Sequence, residues 1–157
     1  MIKIAKILLG LVALLLATAA FALYQNDVPW RDEPGFLKRL VIYTTKNTVQ
    51  TSDKPVLPEL RTRVYPVAAA DFFDFLIPHL IYLGWEVQGV DRDNLTIDVV
   101  ISSKLLRFKD DMQIRIESES KNSTRLHVHS ASRLGRADYG ANLSHVLALY
   151  RVIDLSL

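Results

Sequence analysis

The sequence predicts an α+β fold: a small antiparallel sheet of about four to five strands, with two main helices packed on one face and an N-terminal transmembrane helix before them. Three observations predict it. Several segments alternate apolar and polar residues, as strands covered on one side do. Two segments show the period of amphipathic helices. Residues 7–24 form an uncharged apolar run of 18 residues, which is long enough to cross a bilayer.

The apolar run predicts a membrane anchor over residues 1–24. Lys3 and Lys6 precede the run and no acidic residue does, so the N-terminus is expected in the cytoplasm and the rest on the periplasmic side of the inner membrane. Tyr24 and Trp30 stand where interfacial aromatic residues are expected, which favours an anchor. A cleaved signal peptide is the alternative, because small-residue cleavage sites occur between residues 17 and 22.

A connector over residues 25–58 is predicted to join the anchor to a folded domain over residues 59–157. Residues 36–41 place apolar side chains at helical spacing beside two bases. They predict either a juxtamembrane helix on the membrane surface or a helix or strand docked on the domain by its apolar face. Residues 44–58 are expected to be loop.

The domain is predicted to run from a strand and a helix through a strand meander to a final helix. Alternation predicts strands over residues 61–67, 85–90, 95–101, 112–117 and 126–129. Helical spacing predicts helices over residues 68–83 and 139–155. Gly84 is the expected C-terminal cap of the first helix, and Pro78 predicts a kink or break near residues 74–77.

Polar side chains concentrate where the last strand passes into the last helix. The candidate ligand-binding or structural cluster consists of Asp110, Asp111, Ser130, Ser132, Arg133, Arg136, Asp138 and Asn142. In one interpretation the aspartates of residues 110–111 pair with an arginine and fix the corner, while Asp138 caps the helix. In the other, two arginines and a helix N-terminus bind an anion or a polar headgroup.

The structural interpretation predicts the effect of two substitutions. Asp138→Ala is expected to lower the free energy of unfolding by about 1 kcal/mol, as a lost helix cap. Gly135→Val is expected to destabilise the domain as well. Calorimetry of each variant beside the wild type measures both effects.

The polar stretch also resembles a known family. Residues 130–142 with the apolar helix after them, the Leu83-Gly84-Trp85 corner and the step at residues 108–111 are similar to the pattern of a bacterial family called domain of unknown function 1499. The resemblance covers about residues 59–153. It implies the domain boundaries and an N-terminal membrane segment or signal, and it implies no activity, because the family is itself uncharacterised.

Other classes of chemistry find little support in the sequence. There are no cysteines, which excludes disulfides and thiolate sites. Outside Lys3 and Lys6, 17 basic residues balance 17 acidic ones, which argues against nucleic-acid binding. No phosphate loop, zinc-protease helix or Gly-x-Ser-x-Gly elbow is present, and we expect neither a metal nor a cofactor. His127 and His129 share one strand face, for which solvation is favoured over metal binding.

The sequence therefore predicts a non-enzymatic, membrane-anchored protein of the bacterial cell envelope, with no catalytic residues. Residues 7–24 are expected to contact the membrane. The first expectation is that a cleft between sheet and helices binds an amphiphilic or lipid-like molecule. The alternative is a structural or protein-interaction module. A hydrolase using Ser132, a histidine and Asp138 is less favoured, since those residue types are common and no strained turn presents the serine.

Overall fold

The computed structural model describes residues 2–103 and 107–157. Its helices are α1 (Ile2–Gln25), α2 (Phe36–Thr45), α3 (Ala69–Tyr82) and α4 (Ala141–Ser156), with a short 3₁₀ helix at Pro58–Leu60. Its strands are β1 (Thr48–Gln50), β2 (Arg63–Tyr65), β3 (Glu86–Asp91), β4 (Thr96–Ser102), β5 (Lys109–Ser120) and β6 (Ser123–Ser132). The predicted α+β class, with an N-terminal apolar helix, is confirmed.

The strands form one antiparallel sheet in the order β1-β6-β5-β4-β3, and β2 also pairs with β6. The sheet thus has six strands rather than the four to five expected. The additional strand is β1, which lies in a segment that we expected to be loop. Thr48 pairs with Ala131 and Gln50 with His129. Three residues are too few to show a period of two, so only the pairing with β6 defines this strand.

One face of the sheet is covered by α3 and α4, whereas the other face is left uncovered by the residues that the structure describes. In β5, Met112, Ile114 and Ile116 are buried, while the residues between them are exposed. The buried strand residues pack against fully buried side chains of the two helices, which are Phe72, Phe73, Leu76, Leu80, Leu143, Val146, Leu149 and Ile153. The predicted one-sided packing is therefore present, and it defines where the core lies.

Helix α3 ends at the predicted glycine. Gly84 has φ +75°, its N–H donates to the carbonyl of Ile81 at 2.9 Å, and the N–H of Trp85 donates to Leu80 at 3.1 Å. These two bonds form a Schellman motif, which glycine permits because it adopts positive φ without strain. The break that was expected near Pro78 does not occur, because α3 continues through Pro78 to Tyr82. Pro78 lies on the exposed side, where water can satisfy the carbonyl that a proline leaves without its N–H partner.

Helix α1 projects from the domain. Residues Lys3–Gln25 have a mean hydropathy of 2.5 over their most apolar window, and none of that window is buried. The helix is therefore long and apolar enough for a membrane anchor or a secretion signal. The side of the membrane on which the domain lies stays a prediction.

Helix α2 is docked on the domain by the side that carries Arg39 and Tyr43, rather than by the apolar face of residues 36, 37 and 41. Arg39 and Tyr43 are its buried residues, whereas Leu37 and Val41 are exposed. Arg39 and Tyr43 are one turn apart, so they share one side of the helix. The predicted connector thus supplies a helix, a strand and part of the core.

Candidate functional site

The polar cluster lies at one end of the sheet, which we call the corner end. Here β3 and β5 begin while β4 and β6 end, since Ser102 pairs with Lys109 and Asp110 with Ser132. Helix α4 begins at the same end, after the loop that follows β6. Antiparallel pairing therefore brings together residues that are about twenty positions apart in sequence.

Asn142 is the centre of the cluster and is fully buried. Its Oδ1 accepts a hydrogen bond from the Ser130 hydroxyl at 2.5 Å. Its Nδ2 donates to the Ser132 hydroxyl at 2.9 Å, to the carbonyl of Asn47 at 3.0 Å and to Asp138 Oδ2 at 2.6 Å. One carboxamide thus connects β6, the chain before β1 and the start of α4. All its polar atoms have partners, as a buried amide requires.

Asp138 receives backbone donors at the start of α4. Its Oδ1 accepts from the N–H of Gly140 at 2.8 Å and its Oδ2 from the N–H of Asn142 at 3.2 Å. The helix begins later than the sequence indicated, at Ala141, and Gly140 occupies the N-cap position. Asp138 therefore acts two residues ahead of that position. Burial raises the pKa of its carboxyl group, although Asn142 and the two N–H groups favour the charged form.

Asp110 and Asp111 lie on opposite faces of the sheet, as alternation along a strand requires. Asp111 is on the uncovered face, where Arg133 binds both its oxygens at 2.7–3.0 Å. This guanidinium holds the pKa of Asp111 below its usual value. Asp110 is buried on the helix-covered face, and desolvation raises its pKa. Arg136 is exposed and forms no ion pair with the described residues, so only one of the two arginines joins the cluster.

His145 also belongs to the cluster: its spacing from Asp138 and Asn142 predicts a shared helix face, although His145 was not among the candidate residues. Its Nδ1 lies 3.6 Å from Asp110 Oδ2, beyond hydrogen-bond distance, and its ring meets Trp85 edge-on. Burial lowers the pKa of His145 to about 4, although the charge of Asp138 acts in the opposite direction. The helical spacing of Asn142 and His145 was a signal for this position, but burial is not visible in one sequence.

We expect His145 to make stability depend on pH. The folded state binds fewer protons than the unfolded state between about 4 and the usual value of 6.5, so stability falls as pH falls through that window. The wild type should lose free energy of unfolding between about pH 7 and about pH 5, and the His145→Gln variant should lose about 1–2 kcal/mol less over the same range. Denaturant unfolding at both pH values measures it. Asp110 and Asp138 have raised pKa values, so their protonation stabilises the folded state as pH falls, in the variant as in the wild type. Equal losses of stability in the variant and the wild type would contradict the role of His145.

Arg39 forms a second buried polar centre, which no pattern in the sequence predicts. The side chain is fully buried and donates five hydrogen bonds. Nε bonds the carbonyl of Asp32 at 3.0 Å, Nη1 bonds the carbonyl of Pro29 at 3.1 Å and the Tyr43 hydroxyl at 2.8 Å. Nη2 bonds the carbonyl of Glu33 and Glu59 Oε1. This guanidinium therefore joins the segment after α1 to the 3₁₀ helix.

The chain that leaves α1 also contacts the corner directly. Asn26 Nδ2 donates to the carbonyl of Tyr139 at 2.8 Å, and the N–H of Tyr139 donates to the carbonyl of Tyr43 at 3.0 Å. Val28 is buried against Gly140. The segment between anchor and domain is thus packed into the corner.

Gly140→Ala is expected to destabilise the protein more than Gly135→Ala. Both glycines have positive φ, +83° and +89°, which costs an L-residue about 1 kcal/mol or more. Only at Gly140 would a new Cβ also meet a side chain, at 3.1 Å from Val28. Thermal unfolding compares the variants, and an equal loss in both would show that the contact with Val28 is unimportant.

The uncovered face of the sheet carries two open hollows. One, of about 480 Å³, is lined by Asp53, Glu117, Ser118, Glu119, Arg125 and His127. The other, of about 310 Å³, lies nearer the corner end and includes Asp98, Val100, Asp111, Gln113, His129 and Ala131. His127 bonds Glu117 at 2.9 Å and His129 contacts the Thr48 hydroxyl at 3.2 Å. Within the described residues, no group of three potential ligands could hold a metal ion.

The serines and the aspartate that a nucleophilic triad would use are all bonded to Asn142 and not to a histidine. The hydroxyls of Ser130 and Ser132 both bond Asn142, and Asp138 bonds the same side chain. Across the described ranges, no hydrogen bond joins either serine to a histidine. The arrangement is that of a corner that connects three segments.

A family model described as "Protein of unknown function (DUF1499)" matches residues 43–152. The match begins in α2, contains all six strands and α3, and extends along α4. Both Asn142 and His145 fall inside it, whereas Arg39 precedes it. No curated protein matches the chain.

Proposed function

This chain belongs to the DUF1499 family of proteins of unknown function, and on that premise we propose that it is a non-enzymatic, membrane-tethered interaction module of the cell envelope. Its partner is a protein that binds the uncovered face of the sheet. The observation that carries the proposal is the position of the two hollows. Both lie on that face, and neither lies between the sheet and the helices.

In the part of the chain that the structure describes, side chains of the protein itself occupy the space between the sheet and the helices. The facing side chains of α3 and α4 are fully buried against β5 and β6, at positions such as Leu76, Leu143 and Ile114. A lipid-like ligand needs an apolar cavity of several hundred Å³. The cleft that we first expected to bind such a ligand therefore has less support than the interaction module that we held as its alternative.

The hollow near the corner end favours a polar partner. Val100 and Ala131 form an apolar floor, and Asp98, Asp111 and Gln113 stand around it. Gln113 Nε2 donates to Asp98 Oδ1 at 3.0 Å, which leaves the second oxygen of Asp98 available as an acceptor. The available oxygen of Asp98 beside a small apolar floor suits a segment that presents an N–H group or a basic side chain, whereas Arg133 already bonds both oxygens of Asp111.

Crosslinking in cells tests the proposal. A photoreactive amino acid at Gln113, which is exposed on the uncovered face, is expected to give a product of discrete mass with a second protein. Asp98→Lys should abolish that product, because it reverses the charge of the acceptor. The matched control carries the photoreactive residue at Asp71, which is exposed on α3. Identical products from both positions, or only crosslinked copies of this chain, would contradict a docking face.

A further inference from the structure

We propose that the corner end of the domain rests on the surface of an anionic bilayer, in addition to the tether that α1 provides. The surface consists of Tyr82, Arg107, Phe108, Lys109, Leu134 and Arg136. It belongs to three neighbouring segments: the end of α3, the start of β5 and the loop after β6. The inference rests on the membrane tether of the proposed function and adds an orientation to it.

The position of the tether is the first argument. Asn26, the first residue after α1, bonds the carbonyl of Tyr139 in the corner, and none of the apolar window of α1 is buried on the domain. A membrane-embedded α1 therefore projects from the corner end. Because Val28 and Arg39 fix the following segment, little free chain remains to let the domain move away from the bilayer.

Exposed apolar side chains at the end of α3 and in the loops before β5 and after β6 are the second argument. Leu134 is 69% exposed, Tyr82 is 82% exposed and Phe108 is 51% exposed. Two hydrogen bonds hold Phe108 in place: its N–H donates to the Ser103 hydroxyl at 2.9 Å, and its carbonyl accepts from the N–H of Ser103 at 2.8 Å. Aromatic and large aliphatic residues in such positions are suited to the boundary between headgroups and acyl chains.

The local charge is the third argument. Arg107, Lys109 and Arg136 are exposed beside the exposed apolar side chains. Basic side chains next to exposed apolar ones are attracted to anionic lipids.

The acidic residues of the corner do little to cancel this charge. Asp110 is buried, Asp138 receives two backbone N–H groups, and Asp111 is paired with Arg133. Glu86 is exposed and opposes the attraction, as do the exposed Asp27, Asp32 and Glu33 of the segment after α1. The six residues of the proposed surface themselves carry three basic side chains and no acidic one.

Single cysteines make the test direct, because the chain has none of its own. The full chain, reconstituted in vesicles of phosphatidylcholine and phosphatidylglycerol, carries a nitroxide at Leu134→Cys, Phe108→Cys or Tyr82→Cys. Controls carry it at Asn94→Cys and Lys121→Cys, in the turns at the opposite end of the sheet. Leu14→Cys reports whether α1 is in the hydrocarbon. Power saturation with oxygen and a water-soluble nickel chelate gives the depth of each label.

We expect the labels at residues 134 and 108 to lie about 5–10 Å into the headgroup and acyl boundary, and the controls to be aqueous. Replacing phosphatidylglycerol by phosphatidylcholine should move the corner labels toward water. If the Leu14 label lies in hydrocarbon while the corner labels are as aqueous as the controls, the orientation is wrong and the tether remains. If the Leu14 label is aqueous too, both ideas fail. Corner labels shielded from both reagents would indicate contact between copies and overturn the inference.

Discussion

Arg39→Met is expected to lower the free energy of unfolding by about 3–5 kcal/mol, the largest loss of any single substitution considered for this protein. The side chain is fully buried. Its removal leaves Glu59 Oε1 and the carbonyl of Glu33 without their donor, whereas the carbonyls of Pro29 and Asp32 keep the Tyr43 hydroxyl and the Gly35 N–H. A buried acceptor that loses its partner costs more than the lost bond contributed. Denaturant unfolding of the full chain in detergent micelles measures the effect.

Arg92→Met is the matched control. Arg92 also pairs with a carboxylate, at 2.7 Å from Asp74, but both side chains are more than half exposed. Exposed pairs contribute about 0–1 kcal/mol, so the control should remain close to the wild type. Similar losses in the two variants would mean that Arg39 is no more important than a surface arginine.

Asn142→Ala is expected to cost about 3 kcal/mol. It leaves the Ser130 hydroxyl without its partner and removes one bond each from the Asp138 carboxylate and the Asn47 carbonyl, which keep backbone N–H donors. Each unsatisfied buried group costs about 1–3 kcal/mol. Because Asn142 joins three segments, we expect the loss of stability to be accompanied by faster hydrogen exchange in β1. Calorimetry and hydrogen exchange of the same sample measure both.

Asn142→Ala removes both the amide group and side-chain volume, whereas Asn142→Asp removes only the amide group, so the second variant separates the two effects. The new carboxylate would stand where Nδ2 now donates to Asp138 at 2.6 Å, so two carboxylates would repel each other. Repulsion raises the pKa of such a group. The variant should therefore approach the wild type in stability as pH falls toward the usual aspartate range. A difference from the wild type that does not change with pH would contradict the role assigned to this contact.

Much of the fold was accessible to sequence reasoning because it depends on local periodicity. Adjacent residues of a strand face opposite sides of the sheet, and Asp110 and Asp111 in β5 do so. Helical spacing located α3 and α4 to within a few residues, and Gly84 ended α3 as predicted. These features follow from the preferences of neighbouring residues, which one sequence contains.

The remaining features depend on contacts between distant segments. Lys38 and Arg39 are adjacent bases on an amphipathic helix, yet one is exposed and the other fully buried. They differ because the backbone carbonyls of residues 29–33 lie against Arg39 and accept its hydrogen bonds. Strand β1 is three residues long and is selected by its pairing with β6. Neither feature has a local signal.

The sequence indicated where polar side chains concentrate, but it did not predict how they are organised. Sequence reasoning placed Ser130 and Ser132 on one strand face and Asp138 before the helix. It did not place Asn142 between them or bring His145 to Asp110. Such convergence depends on the distance between α4 and the sheet, which the packing of Leu143 and Val146 determines.

The central claim is that the polar residues of the corner are architectural and hold the segment after α1 against the domain. Native-state hydrogen exchange of the full chain tests it most directly, at the amides of Ser132, Asp138 and Tyr139, which donate to carbonyls of residues 43–47. We predict that these amides exchange only with global unfolding, like those of the β5–β6 ladder. Exchange as fast as in the exposed turn at residues 120–123 would contradict the claim.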